Sequence, residues 1–209
     1  MVALRCMRQQ GCGEFAEVII EKFQNSFPNG EGPDVYSHML VLRAWEKTAP
    51  KSEWRKASER AESFFQEMEK RVKASLLPMS DVNAYNVLLN CFARAGDANK
   101  AEQLLADLQS SCGDGLGDRS VRPNSKSYSL VLKALANSCA TNAVDRAWKV
   151  MYEVGYPIDN KSTIVLKESV PTNLSIEICN ALLKLFAKRG MASKAEEMLN
   201  KMDKIVGVR

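Results

Sequence analysis

Apolar residues in this chain recur every three or four positions, in short blocks that end at turn residues. The stretch NALLKLFAKRGMASKAEEMLNKM, residues 180–202, has one such block before Gly190 and another after it. A spacing of three and four places the apolar side chains on one face of an α-helix. Glycine accepts the left-handed backbone that ends many helices. The pattern therefore predicts a helix, a turn at Gly190 and a second helix, in which the small Ala195 allows close packing.

The same pattern of apolar and polar positions occurs 94 residues earlier, at 86–108, where 11 of the 23 residues are identical. Looser copies cover 39–68 and 129–154, and a partial copy with a turn at Gly11 lies near the start of the chain. A single helix pair cannot bury both of its faces and needs neighbours on either side. The sequence therefore predicts an all-α fold, an α-solenoid of about five helix pairs of which the first is truncated.

A proline followed closely by Asp or Asn precedes three of the predicted first helices, at Asp34, Asp81 and Asn124. Such side chains accept hydrogen bonds from the unpaired N–H groups of a first helical turn. The connections 110–124 and 155–173 are interpreted as insertions at one edge of the stack, the second with a short extended piece at 162–170. The predicted repeats of this single array over residues 1–209 are 1–34 (partial), 35–81, 82–124, 125–175 and 176–209.

Charge and residue types narrow the possible chemistry. A net charge of +4 permits an acidic partner such as nucleic acid without requiring one. No apolar run reaches the roughly 18 residues that span a bilayer. With one histidine, His38, and no Cys-x-x-Cys pair, the sequence predicts no metal site, no cofactor and no enzymatic activity. Cys6, Cys91 and Cys179 are expected to be buried, and GDGLGD at 113–118 is interpreted as a loop, not a phosphate or calcium site.

The first 13 residues contain two arginines and no acidic residue. This composition weakly resembles an organellar transit peptide. The interpretation favoured here is the end of a truncated first helix, because the partial repeat begins in the same residues.

The run DVNAYNVLLNCFARAGDANKAEQLLADL, residues 81–108, resembles the pentatricopeptide repeat in its aromatic-Asn start, its Ala-Gly turn and the Ala of its second helix. PDVYSHMLVLRAW resembles the same start, with His38 where Tyr85 stands. The tetratricopeptide repeat would place Trp and Gly-Tyr in the first helix, and that pattern is not seen in this sequence. The resemblance implies a right-handed superhelix whose first helices line a groove for single-stranded RNA. It also implies a mitochondrial or plastid location and a role in RNA processing, stability or translation.

In this family roughly one repeat reads one base, through a side chain early in the first helix and another at the end of the repeat. The resemblance implies that Asn86 and Asn124 form such a pair, with a preference for a pyrimidine. Met39 departs from the pattern because its thioether cannot donate a hydrogen bond. Among the positions that clamp a base, Tyr36 alone offers a stacking face. The matching positions are Met39, Asn86, Ser129 and Asn180 early in the first helices, Asp34, Asp81, Asn124 and Ser175 at the repeat ends, and Tyr36, Asn83, Lys126 and Glu177 for clamping.

Basic residues recur late in the predicted first helices, close to the turns. Phosphate contacts from such residues supply most of the affinity for nucleic acid without reading its sequence. An ordinary solvated helix surface is the alternative, and the sequence leaves both open. The residues implied for the RNA backbone are Lys47, Arg94, Lys126 and Lys188, and Lys133, Lys184 and Arg189 extend the same face.

Two alternatives to RNA binding fit the same residues. A helical-repeat surface can also hold a peptide or a helix, so a protein-binding scaffold is the main alternative, favoured by the irregular base-contact positions. A degenerate array that folds but binds nothing tightly is the third. RNA binding predicts a strong dependence of affinity on salt, which a scaffold does not. The oligomeric state is left open.

Overall fold

The chain folds into helices alone wherever its structure is described. A computed structural model describes residues 12–26, 32–48, 50–74, 81–110, 122–153 and 172–206. Within them the chain forms nine α-helices and no β-strand, which confirms the predicted all-α class. A 3₁₀ turn, Lys51–Glu53, precedes the third helix. In chain order the helices are α1 (Gly13–Ser26), α2 (Val35–Glu46), α3 (Trp54–Lys73), α4 (Val82–Ala95), α5 (Ala98–Ser110), α6 (Ser125–Asn137), α7 (Ala143–Glu153), α8 (Thr172–Lys188) and α9 (Ala192–Val206).

The helices pack as pairs against their neighbours in the chain. We call α2, α4, α6 and α8 the first helices, and α1, α3, α5, α7 and α9 the second helices. Each first helix packs against the next first helix, and each second helix from α1 to α7 also packs against the first helix that follows it. The second helices from α3 to α9 pack against the first helix before them as well. Contacts between nearest neighbours are what a repeat array requires, while the repeat count, the repeat boundaries and the superhelical hand stay predictions.

The core is built from equivalent positions of successive pairs. Leu42, Leu89 and Leu132 occupy the same place on α2, α4 and α6, and all three are completely buried. The small residue predicted to let the helices approach is buried in four second helices and half-buried in the fifth. Removing these apolar side chains from water is the main force that holds such pairs together. These small residues are Ala16, Ala61, Ala101, Ala147 and Ala195.

Three helix starts are those that the sequence predicts. The carboxylate of Asp34 accepts a hydrogen bond of 2.8 Å from the Ser37 backbone N–H at the start of α2. Asp81 accepts hydrogen bonds from two backbone N–H groups at the start of α4. Asn124 and Ser127 form a reciprocal capping box at the start of α6. Each cap satisfies N–H groups that the helix itself leaves without a partner.

The start of the last first helix was wrongly placed by the sequence pattern. Helix α8 begins at Thr172, inside the predicted connection 155–173, and the predicted end-of-repeat residue Ser175 therefore lies within the helix. The polar residues Thr172, Asn173 and Ser175 hid this extra turn, because Thr, Asn and Ser are also common before a helix. Gly11, Cys6 and the segments 113–118 and 162–170 lie outside the described residues.

Two glycines end first helices as predicted. Gly96 has a φ of 74° and Gly190 a φ of 67°, both in the left-handed region that favours glycine. Their surroundings differ. A Cβ added to Gly96 would lie 2.8 Å from the backbone oxygen of Asn137, on the next first helix, whereas one added to Gly190 would meet nothing within 4 Å.

This difference predicts unequal costs for the same substitution. Gly190→Ala is expected to lower the free energy of unfolding by about 1 kcal/mol, from backbone strain alone. Gly96→Ala is expected to cost about 3 kcal/mol, because the backbone of α6 must also move away. Urea unfolding of the two variants measures the difference. Equal costs would show that α4 and α6 do not approach as closely as the structure has them.

Candidate nucleic-acid interface

The positions predicted to contact RNA form rows across the first helices. Residues three, four and seven apart share one face of a helix, so equivalent residues of α2, α4, α6 and α8 line up from one pair to the next. The positions predicted to clamp a base are exposed in all four first helices, and Tyr36 is 45% exposed. We call the surface formed by three such rows the first-helix face. Its rows are Tyr36, Asn83, Lys126 and Glu177; Met39, Asn86, Ser129 and Asn180; and Arg43, Asn90, Lys133 and Lys184.

The predicted base-reading pair Asn86 and Asn124 does come together. The Asn86 amide nitrogen lies 3.4 Å from the Asn124 side-chain oxygen, and the Asn86 side-chain oxygen accepts a hydrogen bond of 2.7 Å from the Ser127 hydroxyl. Asn86 is only 3% exposed. Its amide therefore links α4 to the start of α6 in the unbound protein, and reading a base would require it to exchange these partners. Base reading by this pair stays a prediction.

The other base-reading candidates differ in their accessibility. Asp34 and Asp81 both serve as helix caps, and the hydrogen bond from the Ser37 hydroxyl is the main cause that lowers the pKa of Asp34. Met39 is buried. The Ser129 hydroxyl donates to a backbone oxygen of its own helix, whereas Asn180 is exposed on α8. The side chain of Ser175 lies outside the described part of α8.

Positive charge concentrates in the third row of the first-helix face. The Lys133 ammonium donates a hydrogen bond of 2.9 Å to the side-chain oxygen of Asn90, whose amide nitrogen in turn donates to Glu46. Partial burial lowers the pKa of Lys133, and the nearby charges of Lys184 and Arg94 lower it further. Lys184 and Arg94 therefore lie near Lys133, together with the carboxylate of Glu46, which raises the pKa of Lys133 and offsets part of their repulsion. An anion placed among the three cations would relieve that repulsion.

The basic residues late in the first helices make contacts between neighbouring pairs. The Arg94 guanidinium donates a hydrogen bond of 2.9 Å to the backbone oxygen of Thr48 and lies 4.6 Å from the centre of the Trp54 ring. Arg189 donates in the same way to the backbone oxygen of Ser138, 3.0 Å away, after the end of α6. Lys188 donates to the side chain of Asn137. Cations at these places satisfy carbonyl groups at helix ends and complement the helix dipole.

These contacts give Arg94 and Lys188 a role in packing whether or not they also meet RNA. Lys47 and Lys126, the other predicted backbone contacts, are exposed. The sequence pattern grouped Lys47, Arg94 and Lys188 by their position near the turn and added Lys126 to the same face. It could not show which group each of them contacts.

The PPR repeat family model matches the chain twice, at residues 84–112 and 177–205. These matches cover α4 with α5 and α8 with α9, the two pairs with the closest sequence repeat. The chain belongs to the pentatricopeptide repeat family. Proteins of this family are helical-repeat proteins that generally bind RNA, and they are typically organellar. No curated protein is significantly similar in sequence to the chain.

The second helices of these pentatricopeptide repeats carry a row of ion pairs that the sequence analysis missed. Each pair joins an acid on one second helix to a base on the next, and Arg146 holds Glu102 through two nitrogens at 2.7 and 3.0 Å. The signal is a basic residue, alanine and glutamate in succession, as at 60–62 and 100–102. We call the row the second-helix ladder. Its pairs are Glu17 with Arg60, Glu62 with Lys100 and Glu102 with Arg146.

The described residues were also compared with the requirements of a metal site, a reactive thiol and a membrane-spanning helix. No group of three or more His, Cys, Asp or Glu side chains in it could hold a metal ion. Burial raises the pKa of the Cys91 thiol, and that of Cys179 to about 11, so neither is a reactive thiolate at neutral pH. Both are buried as predicted. None of the described helices has both the length and the apolar character that crossing a membrane requires.

His38 stands where two other first helices have Tyr85 and Tyr128, and it is buried. Its ring nitrogens lie 2.8 Å from the backbone oxygen of Asp34 and 3.0 Å from the Gln24 amide nitrogen, and Gln24 accepts a hydrogen bond from Arg71. A neutral ring that donates to Asp34 and accepts from Gln24 satisfies all of these groups. Burial lowers the pKa of His38 below its ordinary value of 6.5, and Arg71 lowers it further.

This lowered pKa predicts a loss of stability in mild acid. The unfolded chain binds a proton at His38 more readily than the folded one, so the contribution of the neutral ring is intact above about pH 6.5 and is lost as the pH falls through the lower folded pKa. We expect the free energy of unfolding to fall as the pH is lowered below about 6.5, the ordinary pKa of histidine. His38→Tyr, which copies Tyr85 and Tyr128, should remove that fall. An unchanged pH profile in this variant would contradict the assignment.

Proposed function

We propose that this chain binds single-stranded RNA through its first-helix face and acts as an adaptor in a mitochondrion or plastid. It would support the processing, stability or translation of transcripts and would carry out no catalytic step itself. Membership of the pentatricopeptide repeat family supports RNA as the ligand. The observation that supports the location of the site best is the group of exposed lysines on the neighbouring first helices α6 and α8, Lys126, Lys133 and Lys184.

In this proposal the lysines hold the phosphates and the amides contact the bases. Lys126 and Lys133 stand on α6 and Lys184 on the next first helix, α8. All three are exposed, so they can follow a phosphate backbone from one repeat to the next. Asn180 is exposed in the row of base-reading positions, and its amide can donate to or accept from a base edge. Tyr36 offers an aromatic face at the α2 end for stacking.

The dependence of RNA affinity on salt tests the proposal. We expect a 12-nucleotide uridine-rich single strand, followed by fluorescence anisotropy, to bind with an affinity that falls steeply as salt is raised. Each neutralised phosphate contributes about 0.7 to the slope of log affinity against log salt, so contacts from Lys126, Lys133, Lys184 and Lys188 predict a slope of about −3. An adenosine-rich strand is the control for base preference. No binding at low salt would reject RNA as the ligand of this chain.

A protein-binding scaffold is the second candidate, and one observation favours it. Asn86, Asn124 and Asp81 already make hydrogen bonds within the protein, which leaves few base-reading groups accessible in the unbound chain. A scaffold would bind RNA weakly or with little dependence on salt. The slope described above therefore separates the two candidates.

A further inference from the structure

Three side chains between α4 and α6 form a network in which the backbone fixes the direction of the hydrogen bonds. The backbone N–H of Ser127 donates to the side-chain oxygen of Asn124, 3.1 Å away, and the Asn86 amide lies 3.4 Å from the same oxygen. A backbone N–H can only donate, so the Asn124 atom that faces it is the carbonyl oxygen. That oxygen would repel a second amide oxygen. Asn86 therefore turns its nitrogen towards Asn124 and its own oxygen towards Ser127.

The Ser127 hydroxyl holds the carbonyl oxygen of Asn86. The hydroxyl oxygen accepts from the backbone N–H of Asn124 at 3.2 Å, so its own proton is left for an acceptor. The Asn86 oxygen, at 2.7 Å, is closer to it than the Asn124 oxygen, at 3.2 Å. Ser127 is completely buried and Asn86 is 3% exposed, so water does not compete for this bond. Because the contact of Asn86 with Asn124 is the longer one, a base that reaches Asn86 displaces that contact first.

The network decides which groups the pair Asn86 and Asn124 can offer to a base. The N–H and O–H groups of Ser127 occupy the carbonyl oxygens of both amides. The groups that remain for a base are therefore the amide nitrogens, which only donate. Uracil and cytosine each carry two acceptors on the Watson–Crick edge, whereas adenine and guanine each carry one. A pair restricted to donors favours a pyrimidine.

We propose that Ser127 is a positioning residue for base recognition, because its hydroxyl fixes the orientation of the Asn86 amide and thereby sets the base preference of the pair. The inference rests on the proposed binding of RNA to the first-helix face. The equivalents of Ser127 on α4 and α8 are Ala84 and Ile178, which have no hydroxyl. Among the described first helices, this way of orienting a base-reading amide is therefore particular to the junction of α4 with α6.

The variant Ser127→Ala tests this role through base preference. It releases the Asn86 oxygen, which can then accept from the amino group of adenine. We expect the ratio of the affinities for a uridine-rich and an adenosine-rich 12-nucleotide strand to fall by roughly fivefold, the discrimination that one hydrogen bond supplies. The slope of log affinity against log salt should stay the same, because the buried Ser127 does not reach a phosphate. Fluorescence anisotropy on the same two strands measures both quantities.

The matched control is Ser58→Ala. Ser58 is 3% exposed on the second helix α3, and its hydroxyl donates a hydrogen bond of 2.7 Å to the backbone oxygen of Arg55. This variant removes the same atom from a buried site on a second helix, so the ratio should not change. An unchanged ratio in Ser127→Ala, or an equal fall in both variants, would overturn the role of Ser127 and leave RNA binding in place. No binding of either strand by the original chain would reject the proposed function, and this inference with it.

A second measurement needs neither RNA nor a folded variant. In the original chain, the side-chain amide protons of Asn86 should exchange with water at least roughly tenfold more slowly than those of the exposed Asn180, because the amide is buried and bonded. Hydrogen exchange followed by NMR measures the two rates. Equal rates would mean that Asn86 is not held in one orientation and would overturn the proposal, even if Ser127→Ala failed to fold. Slow exchange together with the fall in the ratio supports it.

Discussion

Reversing the charges of Lys133 and Lys184 together is expected to lower the affinity for single-stranded RNA by roughly 30-fold or more at low salt. The two ammonium groups belong to neighbouring first helices and are close enough for Lys184 to lower the pKa of Lys133. Two glutamates would remove two phosphate contacts and add repulsion at the same place. The fold should tolerate the change, because both side chains are exposed on their helices. Fluorescence anisotropy with the uridine-rich strand measures the loss.

A matched control has the same change in net charge on the other side of the helix pairs. Lys22→Glu with Lys149→Glu alters two exposed lysines of the second helices α1 and α7. This variant should lose no more than a few-fold in affinity, through the weaker long-range field alone. Equal losses in the two double variants would mean that RNA responds to net charge and not to the first-helix face.

Removing the carboxylate of Glu17 is expected to cost more stability than removing any other acid of the second-helix ladder. Glu17 is 6% exposed and accepts a hydrogen bond of 2.8 Å from the indole N–H of Trp45, while its second oxygen meets Arg60. Glu17→Ala would leave a buried N–H without an acceptor and an arginine without its partner. We expect the free energy of unfolding to fall by about 3 kcal/mol.

The ladder itself supplies the comparison for this prediction. Glu62→Ala breaks the equivalent ion pair with Lys100, but both side chains there are about a third exposed and water can replace the lost partner. Its cost should be about 1 kcal/mol or less. Trp45→Phe combined with Glu17→Ala should cost less than the sum of the two single changes, since they share one hydrogen bond. Urea unfolding of all four variants provides the test, and similar costs for Glu17→Ala and Glu62→Ala would contradict the buried role of Glu17.

The helix pairs were predictable because their signals are local. The turn at Gly190, the caps at Asp81 and Asn124 and the buried alanines of the second helices each depend on residues a few positions apart. The same local reasoning placed the start of α8 too late, since Thr172 and Ser175 are as common before a helix as within its first turn. Residue type alone could not decide between these two readings.

The contacts of the candidate site depend on how one helix pair packs against the next. The sequence does not give that packing. Asn86 is buried because Ser127, 41 positions later, reaches its oxygen. Arg94 faces the backbone oxygen of Thr48 through packing of α4 against α2. A repeat pattern identifies equivalent positions, but the rotation and spacing of neighbouring helices decide whether a polar residue at such a position meets protein or solvent.

The measurement that tests the central claim most directly is photochemical cross-linking of the chain to a single-stranded RNA that carries 4-thiouridine at every uridine, with the linked peptides identified by mass spectrometry. If the first-helix face binds RNA, the cross-links should lie in the first helices α2, α4, α6 and α8 and disappear in the Lys133→Glu, Lys184→Glu double variant. Cross-links confined to the second helices, or cross-links that persist in that variant, would contradict the account.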